Sequence, residues 1–176
     1  MQSTLLTGLI LLFAGGFLAC TPAAAEPRAK AFPRSKTAAL LFFGGASVWF
    51  LLVYVANLGP ADFGAYRNFL FAGFALIAIL SFFHVADFLA VRGLAALLLL
   101  YAALVLDSAY GMPQATRLYL VGFIYLSIIG ALYLAAVPYR LRDWFNWLFR
   151  SRIRARILGS IVGAYGLLLV LVALNY

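Results

Sequence analysis

Apolar residues in this chain come in unbroken runs, not in alternation with polar ones. Six runs stand out, at residues 5–20, 38–58, 63–83, 88–106, 118–137 and 157–174. A helix crossing ~30 Å of hydrocarbon at ~1.5 Å per residue needs about 20 apolar residues, and most of these runs approach that length. Barrel strands would instead alternate polar and apolar positions over about ten residues. In lipid every backbone amide must find an internal partner, so helices are the remaining solution. The pattern predicts an all-α integral membrane protein. Five transmembrane helices, 38–58, 63–83, 88–106, 118–137 and 157–174, form a bundle. An N-terminal anchor or signal segment (1–25) and a basic connection (26–37) precede it. The runs 38–58 and 118–137 hold no charge, whereas 63–83 and 88–106 each admit one arginine, Arg67 and Arg92. Their charged heads are expected to snorkel to the interface while the stems stay in hydrocarbon.

Those two arginines belong to an internal echo. Asp62-Phe63-Gly64-Ala65-Tyr66-Arg67 and Asp87-Phe88-Leu89-Ala90-Val91-Arg92 share the pattern D-F-x-A-x-R, twenty-five residues apart. Aspartate at a helix N-cap accepts orphan backbone N–H groups and suits the positive end of the helix dipole. Each copy therefore reads as a cap followed by an arginine one turn inside. Successive helices carry the copies to opposite membrane faces, so they do not form one site.

Composition sharpens this picture. The chain is 66% hydrophobic and 10% charged, against roughly 25% charged in soluble domains, and lipid must be the solvent for most of it. Its net charge of +8 is unevenly spread. Ten of the thirteen basic residues lie in two connections, Arg28 to Lys36 and Arg140 to Arg156. Four spans separate these connections, an even number, so both fall on one side. The positive-inside rule makes that side cytoplasmic. Little lysine against much arginine and alanine suggests a GC-rich bacterial genome, and hence the inner membrane. The Gly59–Asp62 turn and the connection 107–117, with Gly111-Met112-Pro113, are then external. Their Gly and Pro are turn formers.

The first segment carries two conflicting signs. Ala23-Ala24-Ala25 resembles an A-x-A cleavage site after a short apolar core, yet no basic residue precedes that core. Cleavage would also put both basic connections outside. Charge thus favours an uncleaved anchor with its N-terminus outside. Phe17-Leu18-Ala19-Cys20 is a poor lipoprotein box, and lipidation would need the same inverted topology. A true start near Lys36 is a further reading.

Between the last two spans, Leu141, Trp144, Phe145, Trp147, Leu148 and Phe149 fall on one arc of a helix at 139–150, with Tyr139, Arg142, Asp143, Asn146 and Arg150 opposite and Arg140 the single exception. Such an amphipathic helix lies in the headgroup plane, where tryptophan is favoured. Beyond it, Arg150, Arg152, Arg154 and Arg156 alternate with smaller residues. Together with Arg140 and Arg142 they form a docking surface for anionic lipid headgroups or a partner, at about 1 kcal/mol per residue near the surface. The membrane setting argues against nucleic acid as the ligand.

Reactive chemistry is sparse. Ionisable residues inside a membrane usually mark ion or proton paths, but all five acids (Glu26, Asp62, Asp87, Asp107, Asp143) fall at run ends or in connections. One cysteine and one histidine exclude a disulfide, a multi-cysteine zinc site and paired-histidine ligation within the chain, and nothing implies a metal or cofactor. His84, Asp87 and Arg92 converge at one cytoplasmic turn, where His84 and Asp87 could share a proton and Arg92 could hold a phosphate or a quinone headgroup. Gly159-x-x-x-Gly163 lets helix backbones approach closely, toward another span, a partner subunit or a second copy. These features favour a non-catalytic subunit, scaffold or assembly factor of a membrane complex. The alternatives are a small transporter or channel for a neutral or lipidic solute, and an interfacial enzyme handling lipid or quinone.

Overall fold

The computed structural model of the protein describes residues 2–85, 87–110 and 116–174. Every regular element among them is helical. The helices are α1 (Gln2–Cys20), α2 (Pro22–Ala31), α3 (Lys36–Val55), α4 (Arg67–His84), α5 (Leu89–Ala109), α6 (Arg117–Ala136), α7 (Tyr139–Phe149) and α8 (Arg152–Leu174). All except α2 and α7 are long and apolar enough to cross a membrane, which makes six such helices among the described residues. The Gly111-Met112-Pro113 turn lies outside those residues.

The most extensive helix pairing joins the two ends of the chain, α1 and α8. Glycine makes it possible. A Cβ on Gly15 would land on the backbone of Gly159 and Gly163, and one on Gly159 would land on the backbone of Gly15 and Ala19. At Gly166 it would strike the backbone of Leu12 and Gly8. No larger residue fits where two backbones touch. In lipid, helix association rests on such close van der Waals packing, because lipid tails are as apolar as leucine.

Helix α5 is the central element, with Leu89, Ala90, Val91, Gly93, Ala95, Ala102, Val105 and Ala109 buried. It packs on α3 along one side and on α6 along the other. Gly93 permits the first contact, since a Cβ there would collide with the backbone of Phe42 and Phe43. Ala102, Val105, Leu120, Ile124 and Leu169 form a core cluster, with Leu11 and Tyr101 packed against it. Two polar links tie α1 to α5: the hydroxyls of Ser3 and Ser108, 2.8 Å apart, and those of Thr7 and Tyr101, 2.7 Å apart.

Helix α3 is irregular. Residues Leu40–Gly44 and Phe50–Val55 adopt the wider π-type turn, and the Ala56 N–H reaches the Leu51 carbonyl, five residues back, at 2.8 Å. Carbonyls freed near its end are met from the following turn. Asn57 Nδ2 donates to Leu52 and Val53, and Arg67 Nη1 donates to Ala56 at 3.4 Å. Arg117 Nη1 does the same for Ala109 at the end of α5, at 3.3 Å. A cation suits the negative end of a helix dipole.

The repeated D-F-x-A-x-R segment departs from expectation. Neither aspartate caps a helix. Phe88 occupies the N-cap of α5 and Tyr66 that of α4, both without a side-chain cap bond. Arg67 is the first residue of α4, not one turn inside. What the copies share is a left-handed phenylalanine: Phe63 (φ 65°) and Phe88 (φ 59°) are the non-glycine residues with positive φ among those described. Each carbonyl then accepts the N–H three residues on, Tyr66 at 2.9 Å and Val91 at 3.0 Å. The chain reverses direction through Phe, and the extended N-cap geometry that an aspartate needs is lost.

Candidate functional site

Two regions combine unusual chemistry with accessibility: a basic end and an apolar groove. The first follows from topology. Helix α2 packs against α7, α7 against α8, and the turn Phe32–Arg34 against α5 and α7. The two basic connections therefore meet at one end of the bundle, joined there by the start of α5 with Arg92. Eleven of the thirteen basic residues and three of the five acids gather at this end, so it carries the entire net charge of +8. At the opposite end Asp62 and Asp107 balance Arg67 and Arg117.

Little of this charge is neutralised internally. Lys30 pairs with Glu26 at 2.6 Å and Arg142 with Asp143 at 2.9 Å. No other ion pair is formed among the described residues. Arg152, Arg154 and Arg156 sit in the first turns of α8, where the positive end of the dipole opposes them. Arg154 is steadied by Trp147, its guanidinium 4.9 Å from the ring centroid and its Nη1 3.4 Å from the Trp147 carbonyl. On α7, Leu141 and Leu148 are buried and Phe145 and Phe149 half-buried, while Trp144, Trp147, Arg140, Arg142 and Arg150 are exposed. The buried pair is spaced seven residues apart and faces the bundle, which leaves both tryptophans on the outside.

His84, Asp87 and Arg92 are all exposed at this end. His84 Nδ1 lies 3.1 Å from the Leu80 carbonyl, on its own helix. No hydrogen bond or ion pair joins the three among the described residues, nor do three His, Cys, Asp or Glu side chains gather anywhere among them. Gly159 and Gly163 are occupied by α1, as described above.

The second region lies between α3 and α5. A groove of about 460 Å³ is lined by Phe43, Ala46, Ser47, Phe50, Tyr54, Ala96, Leu99, Leu100 and Ala103. The π-type turns of α3 flank its wall. Helix α4 stands beside it, held by edge-to-face contacts of Phe82 on Phe43 (5.5 Å) and Phe74 on Phe50 (5.3 Å). None of the eighteen residues of α4 is buried. Comparison with protein-family models, curated proteins and solved structures gives no match for this chain.

The groove was not anticipated, although α5 holds a sign of it. Ala95-Ala96 and Ala102-Ala103 are alanine pairs seven residues apart. Ala95 and Ala102 are buried, while Ala96 and Ala103 floor the groove. Small residues on two adjacent stripes of one helix allow close approach from two directions.

Proposed function

We propose that this chain is a non-catalytic subunit or scaffold of a membrane complex in the bacterial inner membrane, with both basic connections on the cytoplasmic side. All six long helices cross the bilayer, and α7 lies along the inner headgroups. Cations crowded at the N-terminal turns of α8, unmatched by acids of the fold, are offset by anionic lipid. The reading keeps residues 1–25 in the mature protein, because α1 supplies half of the most extensive helix interface.

The observation that carries the scaffold reading is α4 and its groove. A helix held by a few ring contacts, with no buried residue, is completed by packing against something else. The adjacent alanine-floored groove suits a partner subunit's transmembrane helix, since small residues permit the close contact that drives association in lipid. Ala103→Trp, at an exposed groove position, is the test. In mild detergent the wild-type protein should co-purify with a fixed stoichiometric partner, crosslinked through a photoreactive residue at position 103. The variant should lose it while keeping its thermal midpoint. A monodisperse monomer without crosslinks at that position would overturn the reading.

A further inference from the structure

A second cavity, of about 350 Å³, lies on the other side of α3, enclosed by α1, α3, α5 and α6. Its lining is apolar apart from Thr7, Trp49, Tyr101 and Ser127. Their hydrogen bonds can be assigned one by one. Thr7 Oγ1 donates to the Ser3 carbonyl at 2.7 Å. That uses its only proton, so across the 2.7 Å Thr7–Tyr101 contact the tyrosine donates. Ser127 Oγ donates to the Phe123 carbonyl at 2.9 Å. The Trp49 indole N–H alone has no acceptor among the described residues, and it is open to the outside of the protein, since no fully buried side-chain nitrogen or oxygen among them lacks a partner.

That donor is in an unusual place. Tryptophan in membrane proteins concentrates at the interfaces, where its N–H reaches water or a headgroup. Trp49 lies between three and four residues from the midpoint of α3, hence about 5 Å from mid-bilayer at ~1.5 Å per residue. An N–H without an acceptor at that depth costs on the order of 1–3 kcal/mol. Ser127 and Tyr101 are also close to the middle of their helices. The space is only partly closed, and Ile10, on its α1 side, is exposed.

From this we propose that the cavity binds a neutral, apolar lipid through an uncharged carbonyl that accepts the Trp49 N–H. A volume of about 350 Å³ falls within the roughly 300–1,000 Å³ of small-molecule sites. Depth selects the ligand class. The ester carbonyls of a phospholipid stay near the headgroups, about 15 Å from the midplane of a ~30 Å core, and cannot reach Trp49. A molecule without a charged headgroup can sink that far. Quinones with a hydrocarbon tail and diacylglycerols share this chemistry.

The test uses the full chain in nanodiscs of phosphatidylcholine, with Trp144→Phe and Trp147→Phe so that Trp49 is the sole tryptophan. Decylubiquinone and dibrominated dioleoylglycerol are the neutral probes, and dibrominated phosphatidylcholine is the control. At least one neutral probe should quench Trp49 saturably, and the one that does identifies the source of the carbonyl. Ser127→Phe fills the cavity from α6 and should weaken binding at least tenfold. Ile10→Phe narrows the opening and serves if the first variant does not fold. In the otherwise wild-type chain, Trp49→Phe should weaken the ligand-induced thermal shift about two- to tenfold, the net worth of one neutral hydrogen bond. Quenching by neither probe, quenching that phosphatidylcholine reproduces, or binding unchanged in a folded filling variant would overturn the proposal.

Discussion

Replacing Gly15 with leucine drives a side chain into the backbone of the opposite helix. The new Cβ would meet the backbone of Gly159 and Gly163, which cannot rotate away as a flexible side chain could. Helix α1 must then move off α8. Overpacking of this kind costs about 1–3 kcal/mol. The shift also strains the Ser3–Ser108 and Thr7–Tyr101 hydrogen bonds, worth about 0.6 kcal/mol each in lipid. The expected destabilisation is therefore about 2–4 kcal/mol, large beside a typical total of about 5–15.

The next residue provides an internal control. A Cβ on Gly16 has nothing within 4 Å, so Gly16→Leu should be neutral or gain up to about 1 kcal/mol from helix propensity. Both variants place the same side chain in the same helix at the same depth, and they differ only in the direction it points. Unfolding by sodium dodecyl sulfate titration, followed by far-UV circular dichroism, separates them. Equal stability of the two variants, or greater loss at Gly16, would refute the backbone contact between α1 and α8.

Gly93→Leu, which meets the backbone of Phe42 and Phe43, should destabilise by a comparable amount, whereas Gly73→Leu, in open space on α4, should be silent in the same titration. Phe63 is exposed and left-handed. Phe63→Asn, which tolerates that conformation, should be neutral or stabilising by up to about 1 kcal/mol, and Phe63→Val destabilising. Under the proposed topology Cys20, exposed at the end of α1, faces the cytoplasm. A membrane-impermeant maleimide should leave it unmodified in intact cells and label it after lysis, while intact mass shows residues 1–25 retained. A fluorescent reporter fused after Tyr176 should stay dark, because that end emerges outside.

The long helices were legible because hydropathy and helix length obey the same constraint, the thickness of the apolar layer. Runs 118–137 and 88–106 match α6 and α5 to within a few residues. The first run is a further helix long and apolar enough to cross a membrane. Its hydropathy resembles a leader's, and what the sequence alone does not show is its packing: Gly8 and Gly15 face α8, while Gly16 does not. Spacing in one helix cannot reveal its partner. The π-type turns of α3 were invisible for a related reason, since a run of Leu and Phe is apolar on every side and offers no periodicity to register an extra residue. The aspartates of the repeat were misread because N-cap preference is local, whereas the reversal through Phe63 and Phe88 is set by where the preceding helix ends.

Charge and packing bear on topology by separate routes. The positive-inside bias depends on which connections hold arginine and is indifferent to the identity of small residues within the helices. The α1–α8 interface depends on glycine positions and is indifferent to charge. Removing α1 would leave the connections on the wrong side by the first criterion. By the second it would strip Gly159, Gly163 and Gly166 of the backbone that fills the space beside them, and it would leave Tyr101 without Thr7. A five-helix chain would thus lose both its orientation rule and its most extensive helix contact. Retaining α1 satisfies both, and it also supplies the α1 side of the Trp49 cavity, through Thr7, Ile10 and Leu11.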